Sequence, residues 1–313
     1  DAAMGQLDFC VAVDFYINES TRHAHLILPP VTVWERSHFE VAVNAVQVRN
    51  VARYSSPAFA TPTQGKEDWQ ILTELLARVE RHRSWLGALT GPLRLAASRM
   101  LKPDRLLALA LRLGPQRKVL SLDTLRRVDT TVDLGPLQSC LPQALYTSDK
   151  KVQAAPELFV RVLAQGAGMP VAGEGRPSGL GRIGRRQVGS NTSWRHNFPR
   201  LVKGPAGCTQ QMHPDDAAAR GVFHGDTVLL RSRTGSVQAE LALTEDLRPG
   251  VVSLPHGWGH SRPGTQTRVA SAYAGVSAND VTDELLVDHL TGNAALNGVP
   301  VEVLPLTQAA AAR

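Results

Sequence analysis

The sequence predicts an α/β domain followed by a closed β-barrel, on three observations. Two short apolar runs bracket a polar stretch near the start, leucine stripes at helical spacing fill the middle, and alternating apolar residues cut by glycine turns fill the last third. At 313 residues the chain is long enough for two domains, and a hydrophobic content of 43% fits buried cores. We place the α/β part at 1–165, a linker at 166–181 and the barrel at 182–313.

In order, Leu7 to Val13 and Leu26 to Leu28 read as buried strands, joined by a short helix that Ser20 and Thr21 could cap. Asp14 then falls at the carboxyl end of the first strand, where ligands bind in open α/β sheets. An ordinary turn role for Asp14 stays open. Trp69, Leu72, Leu75, Leu76 and Val79 form one stripe of a helix from Lys66 to Arg81, with Glu67 and Asp68 in the first turn. Two further helices run from Leu86 to Leu113, broken at Lys102-Pro103, and the arginines on them read as a solvated face. Thr130 to Pro142 reads as irregular, and Pro156 to Gln165 as a helix. Six glycines and two prolines between 166 and 181 read as a linker. Beyond it, Asp215 and Asp216 are expected to cap a short helix ending near Gly221. Gly225 to Leu243 reads as a hairpin turning at Arg233-Thr234-Gly235, and Pro249-Gly250 introduces another strand.

Charge singles out one segment. Gly181 to Lys203 holds Arg182, Arg185, Arg186, Arg195, Arg200 and Lys203, and no acid occurs between Glu174 and Asp215. Small polar residues, Gly189 to Ser193, interrupt the cations and allow backbone N–H groups to cup an anion. Composition leaves two readings open here, a phosphate pocket and a solvated basic loop. The net charge of +6 favours anionic ligands, while 5% aromatic residues argue against stacking on single-stranded nucleic acid. Cys10, Cys140 and Cys208 are far apart, which encodes neither a disulfide framework nor a cysteine-rich cluster and suits a reducing cytoplasm. No run is long enough to span a membrane. His256 and His260 flank Gly257 and Gly259, so one helix cannot present both to a metal; Trp258 between them packs, or stacks on a flat ligand. No nucleophile motif is present, and no residue is assigned as catalytic.

These segments together resemble the molybdopterin oxidoreductases of the dimethyl-sulfoxide-reductase superfamily, which includes formate dehydrogenases and nitrate reductases. The resemblance rests on DFYINESTRHAHLILPPVTVWER (Asp14 to Arg36), GRR..GSNTSW.HN (Gly184 to Asn197), HPDDA (His213 to Ala217), GDTV, PGVVSLPHGWGH (Pro249 to His260) and ANDVTD (Ala278 to Asp283), in that order. It implies a Rossmann-like partial domain with extra helices, and a double-psi-like barrel.

It also implies a Mo-bis-molybdopterin guanine dinucleotide cofactor whose nucleotide arms the two domains hold. Asp14 and Asp68 match nucleotide-contacting acids, and Arg36 falls where many members carry a basic residue. Arg185, Arg186, Ser190, Asn191, Thr192, Ser193, Trp194 and His196 match the loop around a pterin and its phosphates, with His256 and Asn279 as further contacts. Two positions depart from the family: His25 stands where an Asp is usual, and Asn297 where many members have Lys. The family's iron–sulfur cluster and metal-ligating residue have no counterpart here, so the resemblance implies the carboxyl-terminal part of a larger oxidoreductase, without turnover alone and working with an amino-terminal portion or electron-transfer subunit on a small substrate such as formate, nitrate or an S- or N-oxide. The alternative is a non-catalytic fragment or structural subunit that binds anions or nucleic acid through its basic face.

Overall fold

A computed structural model describes residues 2–41, 43–128, 131–166, 179–187, 193–203, 207–288 and 290–306. The chain divides into two compact units, one of residues 1–15 and 24–152 and the other of 16–23 and 153–313.

The first unit begins with α1 (Ala2–Gly5), then β1 (Val11–Ala12) and β2 (Leu26–Ile27), which pair in parallel with Val11 opposite Leu26. The expected strand order is therefore present, but each strand keeps only two paired residues, and among the described residues no third strand joins them. β3 (His38–Phe39) and β5 (Tyr54–Ser55) form a second small pair. Between them in sequence, β4 (Arg49–Ala52) pairs with a strand some 80 residues later.

Helices α2 (Asp68–Arg83), α3 (Trp85–Met100) and α4 (Pro103–Leu113) follow the predicted breaks, and a further helix that the sequence reading did not include, α5 (Leu122–Arg127), comes after them. A Cβ on Gly87 or Gly91 of α3 would strike the Glu80 or Ala77 carbonyl of α2, so glycine sets how closely the two helices pack. The leucine stripe of α2 is not buried as its spacing suggests: Leu72, Leu76 and Val79 are 56%, 51% and 53% exposed, and Ile71 and Ala77 face inward instead. Within the segment expected to be irregular, Thr130 lies outside the described residues and Val132 to Pro136 is more regular than its sequence suggests. There β6 (Val132–Pro136) pairs antiparallel with β4 across a register shift, pinned by Arg49, which donates to both Asp133 oxygens at 2.8 and 2.7 Å. Ala52, Tyr54, Leu120, Leu122 and Leu125 are this unit's small core.

The second unit starts with the 3-10 turn Thr21–His23, which stands where a capped helix was expected, and with α6 (Glu157–Gly166). Residues 167–178 of the expected linker lie outside the described residues. Its last two, Leu180 and Gly181, belong to β7 (Leu180–Arg185). Then come β8 (Thr209–Met212), α7 (Pro214–Ala218), β9 (Thr227–Arg231), β10 (Ser236–Leu243), β11 (Val251–Pro255), α8 (Arg268–Ala272) and β12 (Val299–Pro305).

The strands close into a six-stranded barrel in the order β10-β8-β11-β7-β12-β9. Closure leaves no unpaired edge. Inward residues alternate along β10, and Met212, Val228, Leu230, Leu241, Val252, Leu254, Val299, Val301 and Val303 fill the interior. The predicted hairpin is β9–β10. The cap of α7 differs from expectation: His213 Nδ1, not an aspartate, accepts the Asp215 N–H at 3.2 Å, and Asp216 accepts the Gly250 N–H at 2.7 Å.

Candidate cofactor site

Parallel pairing of β7 with β11 sets Arg185 opposite Pro255, so both strands end together and release their following segments at one mouth of the barrel. β8 runs antiparallel to β11 and begins there, which brings residues 207–209 to the same place.

At this mouth Arg185 Nη2 donates to the Thr209 carbonyl at 2.8 Å, while Nη1 is buried without a partner. Burial lowers the guanidinium pKa below its ordinary value, and no carboxylate pairs with it among the described residues. His256 Nε2 and Trp258 Nε1 are likewise buried and unpartnered. Deeper in the barrel, Arg182 is buried: its Nη2 donates to Thr282 Oγ1 and the Leu296 carbonyl, and its Nε has no partner.

Glycines make room for the indole. A Cβ on Gly207 would lie 2.8 Å from Trp258 Cζ2, and one on Gly275 would lie 2.9 Å from Trp258 Cε3. Gln187 Nε2 fixes the first of these segments by donating to the Gly207 carbonyl at 2.6 Å. Burial raises the pKa of the Cys208 thiol beside it.

Against the indole lies His196, fully buried on the 3-10 turn Ser193–Asn197, with ring centroids 4.1 Å apart. Asn197 Oδ1 anchors that turn by accepting the Val269 and Ala270 N–H groups of α8. His196 Nδ1 is 2.7 Å from His260 Nε2, and His260 Nδ1 is 2.7 Å from Glu19 Oε1.

Buried polar atoms are rarely left unmatched, because each costs about 1–3 kcal/mol without a partner. A cation, an indole N–H and an imidazole nitrogen held unmatched at one mouth are fitted to a ligand with oxygen acceptors and a flat ring. Phosphates and a pterin supply both.

The other expected residues are distributed as follows. Ser190, Asn191 and Thr192 lie outside the described residues, and Ser193 opens the 3-10 turn. Trp194 is 40% exposed and meets Phe198 edge-on at 6.0 Å. Arg186 is exposed just past β7, and Asn279 is exposed on the 3-10 turn Ala278–Val281. Asn297 Oδ1 accepts the Gly184 N–H at 2.8 Å, so this departure from the family ties β7 to the segment before β12.

In the first unit, Asp14 Oδ1 accepts the Phe15 N–H at 2.6 Å. Arg36 and Asp68 form an ion pair, so these two expected contacts neutralise one another. His25, the other departure, accepts the Cys10 N–H on Nδ1 at 3.0 Å. Sequence reasoning gave no separate role to Glu19 or His260, which are joined across 241 residues of sequence.

The family models described as Molybdopterin oxidoreductase and Molydopterin dinucleotide binding domain match residues 1–78 and 182–300, in the order that the family's segments were recognised. The chain belongs to the molybdopterin oxidoreductases. Residues 182–300 are a molybdopterin-dinucleotide-binding domain of that family, and the barrel mouth lies within them. Similar proteins include the molybdopterin-containing subunit ArrA of the arsenate respiratory reductase of Chrysiogenes arsenatis, 31% identical over 37% of this chain and 14% of that protein. Another is the alpha subunit of the NADPH-Fe(3+) oxidoreductase of Geobacter sulfurreducens, 24% identical over 81% of this chain and 24% of that protein. The chain thus spans no more than a quarter of these relatives. Acetylene hydratase from Pelobacter acetylenicus shares the fold, with a TM-score of 0.66 at 15% identity over 95% of this chain and 40% of that one. No helix among the described residues is long and apolar enough to cross a membrane.

Proposed function

We propose that the chain holds the dinucleotide of a molybdopterin guanine dinucleotide, in the bis form, for an oxidoreductase acting on a small substrate. The observation that carries this reading is the unmatched set at the barrel mouth, Arg185 Nη1, His256 Nε2 and Trp258 Nε1. Arg185 would meet phosphate oxygen, Trp258 would stack on or donate to the pterin, and Asp14 would accept guanine N–H groups. When bound, the cofactor supplies the electron transfer, and the protein supplies binding and electrostatics.

The β1–β2 pair with its ligand-side Asp14 supports a Rossmann-like sheet. The two parallel pairs, β7 with β11 and β8 with β10, support a double-psi arrangement. The lengths of the relatives, and the subunit names two of them carry, support function alongside a portion bearing the metal ligand and an electron-transfer partner.

The test is retention of guanine dinucleotide by the 313-residue chain. Arg185→Ala and Asp14→Ala should each weaken it, whereas binding that tracks only total charge and salt would defeat the reading.

A further inference from the structure

We propose that α4 is a membrane-docking helix, whose outward leucines enter the interface of an anionic bilayer while the cations beside them meet the lipid headgroups. The helix belongs to the first unit, and no residue of the cofactor site takes part. Residues 79–181 fall between the two ranges that the family models match, so the family likeness assigns α4 no role.

Helical spacing gives α4 two apolar faces. Leu107, Ala108 and Leu111 pack against the small core of the first unit. Asp104, on the same side, accepts the Tyr54 hydroxyl at 2.8 Å and an Arg126 N–H at 2.6 Å. Leu106, Leu109, Ala110 and Leu113 recur at i, i+3, i+4 and i+7 on the opposite side. Core packing does not cover them: Leu106, Leu109 and Leu113 are 48%, 50% and 74% exposed. Leu106 and Ala110 also line an apolar groove of about 430 Å³ with Phe39 and Val41, so the stripe widens into a patch. Solitary exposed leucines are ordinary, but a helical stripe continuous with an apolar groove marks a surface that binds something.

Charge names the occupant. Between Arg99 and Lys118 the chain carries six cations and one acid, Asp104, which is already paired with Arg126 on the inward side. Arg105 and Arg112 lie four residues before and three residues after Leu109, so both border the outward stripe. Lys102 is exposed at the start of the helix, and Arg117 and Lys118 are exposed just beyond its end. A basic helix with an apolar stripe lies in the plane of a bilayer interface, and each cation near an anionic leaflet adds to the attraction. A single partner helix seated on the stripe would reach Arg105 and Arg112, whereas a lipid surface also reaches the cations at both ends. At 11 residues α4 is too short to cross a bilayer.

The experiment is sedimentation of the 313-residue chain with vesicles of equal parts phosphatidylglycerol and phosphatidylcholine, set against vesicles of phosphatidylcholine alone. The wild type should sediment with the anionic vesicles and stay in solution with the neutral ones. Lys102→Gln, Arg105→Gln and Arg112→Gln together should weaken binding about 100-fold, at about fivefold per cation. Leu109→Gln with Leu113→Gln should weaken it about tenfold or more. Both leucines are exposed, so thermal melts of that variant should match the wild type. Arg195→Gln with Arg200→Gln, two exposed cations of the second unit, should leave binding unchanged and so separate docking through α4 from attraction to the chain's overall charge. A wild type that ignores anionic vesicles would overturn the proposal and leave this face to a protein partner. Leucine variants that bind as the wild type does would also overturn it, as would a loss in the Arg195 and Arg200 variant equal to that of the α4 cations.

Discussion

Replacing Arg185 with Met separates ligand recognition from folding. The guanidinium makes its hydrogen bond to the Thr209 carbonyl at 2.8 Å and leaves Nη1 buried and unmatched. Losing a hydrogen bond from a charged donor costs about 1.5–3 kcal/mol, while removing an unsatisfied, desolvated donor relieves about 1–3 kcal/mol. Met also follows the path of the arginine methylenes. The two effects cancel to within about 1 kcal/mol, which for a unit of this size moves the thermal midpoint by no more than about 4 °C.

Affinity should respond differently. One charge-assisted bond to phosphate is worth about 1.5–3 kcal/mol, so dinucleotide binding should weaken about 10- to 100-fold. Leu230→Ala gives the scale for structural damage: Leu230 is fully buried and registers against Val237 and Val303, and its truncation should cost about 3–5 kcal/mol. Paired thermal melts and binding isotherms read both quantities. A loss of stability in Arg185→Met comparable to that in Leu230→Ala, or an unchanged affinity, would refute the view that the guanidinium is held for a ligand.

Two further substitutions test the frame around the site. Arg233 donates to both oxygens of Asp283 at 2.8 and 2.6 Å, which, with the Leu285 N–H, lowers the Asp283 pKa to about 2. A carboxyl depressed in the folded state from an unfolded value of about 3.9 stabilises fully above that value and loses its contribution as pH falls toward 2. Asp283→Asn should therefore melt below the wild type at pH 6, with the difference vanishing near pH 2, as melts across that range would show. Gly259 has φ of +109°, and a Cβ there would lie 2.6 Å from Ser277 Cβ. Gly259→Ala should cost at least about 1–3 kcal/mol of backbone strain and displace His260, detected as a lower midpoint together with weaker pterin binding.

The barrel was legible because its information is local. Alternation along Ser236 to Leu243 names the inward face, and the turn that contains Arg233-Thr234-Gly235 fixes the hairpin, with Ser232 as its fourth residue. Features built from distant pairing were not legible. Nothing in Val132 to Pro136 reads as a strand until Asp133 meets Arg49, and the spacing of Arg36 and Asp68 cannot reveal that they pair with each other. Periodicity in α2 identified residues that share a face without saying what covers it, so Leu72 and Val79 point to solvent. At the site, Arg185 and His256 were found from charge and motif. Trp258 was noticed with its role open between packing and stacking, and Glu19 drew notice only once the fold brought it beside His260.

Counting pterin bound per chain tests the central claim most directly. The 313-residue chain, loaded with molybdopterin guanine dinucleotide and freed of excess, is denatured and the released pterin is read by its fluorescence. A defined stoichiometry for the wild type, with strongly reduced retention in Arg185→Met at an unchanged melting midpoint, is the predicted result. Equal retention by the two chains, or none by either, would contradict it.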